Sequence, residues 1–398
     1  MEKRVEKGHG SEQLHVSTAL RTREAWEVEG MPEYIRKILL AEFFAFPEYN
    51  QNRKHIAETY ENRVKGFTDY ICNFWEIKEE EKGDAEAWRK RVAEIPEEAL
   101  FMQLCTFVYT ELEHANTSNV TLSRSVMENK QNCFTLSTFA WDVLHRMGKE
   151  TTCAITRNHA FLVGDEYVLD IAIGVYPHPL IDKYYGEYEI VRNMERNIPS
   201  IASRNIALIY GSLTPNVDHS KMEALARAAL ETSQGISDYV PTSIMAHALH
   251  EEGNTHEAKE VLKTLLRKEP GRLEAWYDLY KISEEKHELK EILRNIDSVG
   301  TGNRRDRENA EALRAITLLK MGHKLRAKRA FKRLCEQNGK NADALFWMAV
   351  MENGAGRQNR AQKLLKEANR AAEEWDSIYI KIEEYSATLM EEISRKMQ

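Results

Sequence analysis

The sequence predicts an α+β domain that begins with helices, followed by an all-α domain built from helical repeats. Three observations predict it. Apolar residues recur at helical spacing from Pro32 to about Glu113. Between about 115 and 215 the chain changes to β-branched, alternating runs around one short amphipathic helix. From about Lys221 the helical period returns, and this time the pattern repeats itself.

Residues 1–30 are polar and charged and read as a flexible arm, with no apolar signal-peptide core. Pro32 suits a first helical turn. Ile35, Ile38, Leu39, Phe43 and Phe46 then share one face before Pro47 ends the segment. A second helix is expected from Pro96 through Leu100, Leu104, Phe107, Val108 and Leu112. Stripes of this kind are core, not a cofactor box. The first domain is therefore placed at 31–215, helical over 31–113, with its core at 115–215.

The second domain is placed at 219–398. Gly253, Gly322 and Gly356 each stand five residues before an alanine (Ala258, Ala327, Ala361), and four residues later comes a large apolar side chain (Leu262, Phe331, Leu365). The step from Gly322 to Gly356 is 34 residues, and that from Gly253 to Gly322 is 69, close to twice as long. A degenerate copy fits between them, with His287 in the glycine slot and Ile292 and Ile296 in the packing slots. Pro270 closes the first copy.

The chemistry-bearing residues fall in the middle region. Leu136, Phe139, Ala140, Val143, Leu144 and Met147 follow a helical period that Gly148 ends as a natural C′ residue, which puts Cys133 in the first turn. Unpaired N–H groups and the positive end of the helix dipole favour a thiolate there and can stabilise an oxyanion. Downstream, Gly164-Asp165 between two β-prone runs predicts a two-residue hairpin of the II′ type. In that register Val163 opposes Glu166 and His159 opposes Asp170, on one face of the hairpin. Cys133 would then attack a carbonyl, His159 would take the proton, and Asp170 would orient the ring.

The stretch Asn132-Cys133 with its helix, then His159-Ala160-Phe161-Leu162-Val163 and a strand ending Leu169-Asp170, resembles the core motif of the transglutaminase-like superfamily. That resemblance implies a papain-like fold and the chain order Cys…His…Asp, here separated by 26 and 11 residues. Carried over, it makes Cys133 the nucleophile, His159 the base and Asp170 the orienting acid. The 34-residue period resembles the tetratricopeptide (TPR) repeat, although Trp276 and Tyr280 keep the first-helix pattern only loosely. Together the two domains resemble a bacterial family of transglutaminase-like/TPR regulators, whose repeats imply a protein or peptide partner. The chain departs from these patterns in places. Gln131-Asn132 replaces the usual glycine before the cysteine, and Ala160 replaces a tryptophan after the histidine. The ending Asp170-Ile171-Ala172-Ile173-Gly174 is similar to arylamine N-acetyltransferases, but their Arg-Gly-Gly-x-Cys lead-in is absent.

Other residues have quieter readings. Arg157 and Asn158 read first as a solvated strand start, with substrate orientation by Asn158 as the alternative, Cys153 as core, and His145 as a cation at a helix C-terminus. His178, between two prolines, could rim the cleft, and Gln131 or Asn132 could supply a second oxyanion donor. The run Lys324–Arg333 carries six positive charges around a packed stripe. It reads first as a solvated helix, then as a surface for an acidic peptide, and last as one for nucleic acid.

Composition bounds the rest. Hydrophobic residues make up 42% and charged residues 30%, with net charge −7, as expected of an ordinary soluble protein. Five dispersed cysteines without a CxxC pair support neither a disulfide framework nor a zinc ribbon, and point to a reducing, cytoplasmic setting. No metal, cofactor or membrane span is expected. The sequence thus predicts a cysteine-dependent acyl-transfer enzyme: a peptidase, an amidase or a transglutaminase-type activity. The alternatives are a catalytically silent adaptor of the same architecture and a coenzyme-A-dependent N-acetyltransferase.

Overall fold

The computed structural model describes residues 31–372, except 79, 81–83, 112, 115–119, 157–158, 171–172, 182–187, 192–193, 214–216, 234–236, 300–303 and 338–340. The predicted arm at 1–30 and the Arg157-Asn158 pair lie outside the described residues. The chain divides into two compact units, Met1–Ala248 and Leu249–Gln398.

The first unit opens with α1 (Glu33–Ala45), a 3₁₀ turn (Pro47–Asn52), α2 (Arg53–Phe74), α3 (Ala85–Ala93) and α4 (Glu97–Glu111). The predicted apolar stripes are buried: Ile35, Ile38, Leu39 and Phe43 on α1, and Leu100, Leu104, Phe107 and Val108 on α4. Two-residue strands β1 (Glu113–His114) and β2 (Lys130–Gln131) pair in parallel on either side of α5 (Leu122–Glu128). Next comes α6 (Cys133–Arg146), which packs on a five-stranded sheet.

That sheet contains β3 (Thr152–Ile155), β4 (Ala160–Val163), β5 (Tyr167–Asp170), β6 (Gly174–Pro177) and β7 (Glu189–Val191). Its order is β6-β5-β4-β3-β7, and each neighbouring pair runs antiparallel. Its strands are only 3–4 residues long, and the three inner ones, β5, β4 and β3, are buried along most of their length, so they read as apolar runs instead of clean alternation. Helices α7 (Met194–Leu213), α8 (His219–Thr232) and α9 (Tyr239–Glu251) follow. α8 packs along α7, so the helical stretch just after Lys221 belongs to the first unit, whose limit at Ala248 falls inside α9.

The β4–β5 hairpin departs from the predicted register. Leu162 pairs with Leu169 and Val163 with Val168, and Gly164 N–H donates to Tyr167 O at 2.9 Å. The two turn residues are therefore Asp165 and Glu166, not Gly164 and Asp165. The reason lies on α4. The Glu97 carboxylate accepts the backbone N–H groups of Asp165 (3.0 Å), Glu166 (2.9 Å) and Tyr167 (2.8 Å), clamping the turn one residue further along. Gly164 is not in the left-handed region that a II′ turn requires. It is needed for closeness, because a Cβ there would stand 2.2–2.7 Å from the Glu97 carboxylate.

In the second unit the repeat glycines behave as predicted. Gly253, Gly322 and Gly356 have φ of +85°, +86° and +76°, and each turns the chain into the next helix. α10 (Thr255–Lys268) is followed by the hairpins α11 (Leu273–Ile282)/α12 (Lys286–Val299), α13 (Arg304–Lys320)/α14 (Lys324–Gln337) and α15 (Ala342–Gly354)/α16 (Gln358–Ala372). The first helices of successive hairpins, α11, α13 and α15, pack on one another. Ala258, Ala327 and Ala361 are fully buried, as are Leu262, Phe331 and Leu365 four residues on, which lets paired helices approach closely.

The degenerate copy is offset from its predicted place. His287 lies inside α12, exposed and 2.9 Å from Glu285, while Glu284 fills the turn position. Leu289 takes the alanine slot, and Ile292 and Ile296 are buried as expected. The short α11, only 10 residues long, brings this turn early.

Candidate active site at the start of α6

The capping of α6 shapes its first turn. The Asn132 side chain accepts Thr135 N–H at 2.9 Å, and Thr135 Oγ1 accepts Asn132 N–H at 2.9 Å, a reciprocal capping box. This satisfies the third helical N–H and leaves those of Cys133 and Phe134 directed at the space around the thiol. Asn132 Nδ2 donates to Val120 O at 3.1 Å. The amide is thus tied at its oxygen to the helix cap and at its nitrogen to the Val120 carbonyl.

Two anchors fix α6. Ser137 Oγ donates to Ala160 O at 3.0 Å, tying the helix to the strand residue beside His159. Near the other end, the fully buried Asp142 accepts Tyr34 Oη (2.5 Å), Tyr60 Oη (2.9 Å) and Arg146 (2.9 Å), and Arg146 also pairs with Glu61 at 2.7 Å. Along the same helix Leu136, Phe139, Val143 and Leu144 are buried, each contributing about 2 kcal/mol.

The structure brings Cys133, His159 and Asp170 together. His159 precedes β4 and is held by its N–H donating to Thr156 Oγ1 at 3.0 Å. Asp170 ends β5, is 0% exposed, and places Oδ2 2.8 Å from His159 Nε2. In the observed register Asp170 falls opposite Phe161, so His159 is its diagonal neighbour. A slip of two residues preserves the face, and a long side chain spans the diagonal. His159 also hydrogen-bonds the Cys133 thiol.

These contacts move both titrations. Burial alone would push the Cys133 thiol up. The bond and charge of His159, with the N–H groups of Ala160 and Phe134, outweigh it and set the thiol below its ordinary range. Burial alone would pull His159 down, yet the bond to Asp170 and then the one to Cys133 raise it to about 10. Such an arrangement shifts the balance toward thiolate and imidazolium, with N–H donors where an acyl oxygen would gather charge.

Other predicted residues lie elsewhere. Cys153 on β3 is buried and its thiol is pushed up to about 12 by burial, so it is core. His145 pairs with Glu195 at 2.8 Å near the C-terminal end of α6. His178 does not reach the Cys133 cleft. Its N–H donates to Glu166 O at 2.7 Å, at the turn end of the hairpin, because a strand's length separates that turn from His159. There it lines a cavity of about 750 Å³ with Trp141, Tyr188 and Ile190. Within the basic run, Lys328 pairs with Glu352 (2.8 Å), Arg333 with Glu311 (3.0 Å) and Lys332 with Glu336 (3.4 Å). Lys324, Arg326 and Arg329 make no ion pair among the described residues. No group of three or more metal-ligating side chains occurs among the described residues, and no described helix is long and apolar enough to cross a membrane.

No family model matches the chain, and no curated protein matches it. Among solved structures it is similar to YrrB, a TPR protein with an unusual peptide-binding site, at 20% identity over 43% of this chain and 86% of that one, with a TM-score of 0.28. It is similar to menin, whose structure reveals the binding site for Mixed Lineage Leukemia (MLL) protein, at 10% identity over 82% and 91% of the two chains, TM-score 0.38. It is also similar to yeast Tom70 at 11% identity over 96% and 69%, TM-score 0.38. All three scores are too low to establish a shared fold.

Proposed function

We propose that this chain is a cysteine-dependent acyl-transfer enzyme of the transglutaminase-like, papain-type kind, with Cys133 as nucleophile, His159 as base and acid, and Asp170 as the residue that orients His159. The observation that carries this reading is the His159 ring bridging a buried carboxylate at 2.8 Å and a thiol at a helix N-terminus. The Cys133 thiolate forms a C–S bond to the acyl carbon, and the oxyanion faces the N–H groups of the first turn. Collapse breaks the bond to the leaving group, which takes the proton from His159. Water or an amine, deprotonated by His159, then displaces Cys133 and completes hydrolysis or transfer.

In this reading the helical hairpins of the second unit recruit a protein or peptide partner, and the uncommitted cations Lys324, Arg326 and Arg329 favour an acidic segment. Incubation with 4-nitrophenyl acetate should release nitrophenolate and leave an acetyl mass on the peptide containing Cys133. Cys133→Ser should abolish that adduct. Equal acetylation of all five cysteines would count against an activated nucleophile.

A further inference from the structure

The outer stripes of the second unit's α10, α12, α14 and α16 change their charge from copy to copy. The position just before the buried slot residue (Ala258, Leu289, Ala327 or Ala361) holds Glu257, Glu288, Arg326 and Arg360 in turn. Two residues after the slot stand Glu260, Glu291, Arg329 and Lys363. Three residues further on every copy is basic, with Lys263, Arg294, Lys332 and Lys366. The first two copies thus mix signs as a solvated helix face does, and Lys263 pairs with Glu260 (3.2 Å) and Lys259 with Glu288 (2.8 Å). The last two copies have cations in place of those acids. α14 and α16 together hold ten cations against two carboxylates, Glu336 and Glu367, whereas α10 and α12 hold seven against five.

One repeat geometry builds both halves, so packing does not call for the exchange. Arg326, Arg329 and Lys332 on α14, and Lys363, Lys366 and Arg370 on α16, follow one another three or four residues apart, where like charges repel. Arg326, Arg329, Arg360 and Lys363 are exposed and make no ion pair among the described residues. An anion lying across both helices relieves that repulsion. Each helix packs against α15. The two therefore lie within two helix-packing distances, about 20 Å, a span that about six residues of extended chain cover.

Leu325 says which kind of anion. It is 75% exposed and stands four residues before Arg329 and seven before Lys332, on one stripe of α14. An exposed leucine among cations suits a partner that offers carboxylates and an apolar side chain together. A phosphate backbone offers a leucine nothing, and the aromatic residue of these two helices, Phe331, is buried, so no base can stack there.

We propose that the outer stripe of α14 and α16 is a docking surface for an acidic protein segment with an apolar side chain among its carboxylates. Leu325 is the apolar anchor, and Arg326, Arg329, Arg360 and Lys363 are the cations. The inference rests on the partner-binding role given above to the second unit, and not on the chemistry at Cys133.

The test is fluorescence anisotropy on the full chain at about 100 mM salt, with three labelled probes: a peptide of four Glu-Glu-Leu repeats, its Glu-Glu-Ser counterpart, and a single-stranded oligothymidine. The leucine peptide should bind about tenfold tighter than the serine one, and Leu325→Ser should remove that difference. Arg329→Glu combined with Lys363→Glu should weaken the leucine peptide by about tenfold or more. Glutamate already stands at the matching positions of α10 and α12, so the fold accepts it, and the unfolding midpoint checks this. Lys263→Glu, on α10, should bind within about threefold of the parent. Acetylation of Cys133 by 4-nitrophenyl acetate, measured on the same samples, tells a failed docking surface from a failed acyl-transfer reading. Equal binding of the two peptides, equal losses from Lys263→Glu and the double variant, or tighter binding of the oligothymidine overturns the docking surface.

Discussion

Asp142→Ala is expected to destabilise the first unit by about 3–5 kcal/mol, a fall in its melting midpoint on the order of 10 °C. The Asp142 carboxylate is fully buried and accepts hydrogen bonds from Tyr34, Tyr60 and Arg146, so it joins α1 and α2 to α6. Removing it strands two phenolic hydroxyls and half of a guanidinium in a low-dielectric setting, and Glu61 can satisfy only the guanidinium. Asp142→Asn keeps an acceptor oxygen and should lose less. Thermal unfolding of the full chain followed by circular dichroism checks the order. A midpoint within about 2 °C of the parent for the alanine variant would show that the network is dispensable.

Asp170→Asn is expected to slow acetylation of Cys133 by 4-nitrophenyl acetate at pH 7 by about 10²–10⁴-fold. The amide can still accept the Nε2–H of His159, but it no longer offsets the imidazolium charge. The protonated ring and the thiolate that depends on it both lose ground. Since the substitution removes a charge from a site with 0% exposure, the fold should hold, and the unfolding midpoint serves as the control. A rate within threefold of the parent would mean that Asp170 merely packs against the ring.

Much of this geometry is legible in the sequence because it follows from local chemistry. The helix start at Cys133, the turn glycines Gly253, Gly322 and Gly356, and the buried stripe of α1 each follow from a spacing that one segment sets by itself. The hairpin shows where that stops. Its turn is chosen by Glu97, dozens of residues upstream, so no pattern around Gly164 could have placed it. His159 and Asp170 still meet, because the slip was even and kept both on one face. Had the slip been a single residue, they would have parted.

His287 fails as a turn residue for a related reason. Repeat spacing is legible only while helix lengths hold, and α11 is short.

The central claim is that Cys133 and His159 form a thiolate–imidazolium pair. The most direct measurement of it is the rate of Cys133 alkylation by iodoacetamide between pH 5.5 and 9.5, in the parent and in His159→Ala. The lowered thiol, which His159 sustains, predicts a parent profile displaced to lower pH than that of His159→Ala, with the parent clearly the faster of the two at pH 6.5. His159→Ala should instead follow a single titration near 8.5 and lose about 100-fold of its thiolate by pH 6.5. A parent profile that superimposes on that of His159→Ala would contradict the account.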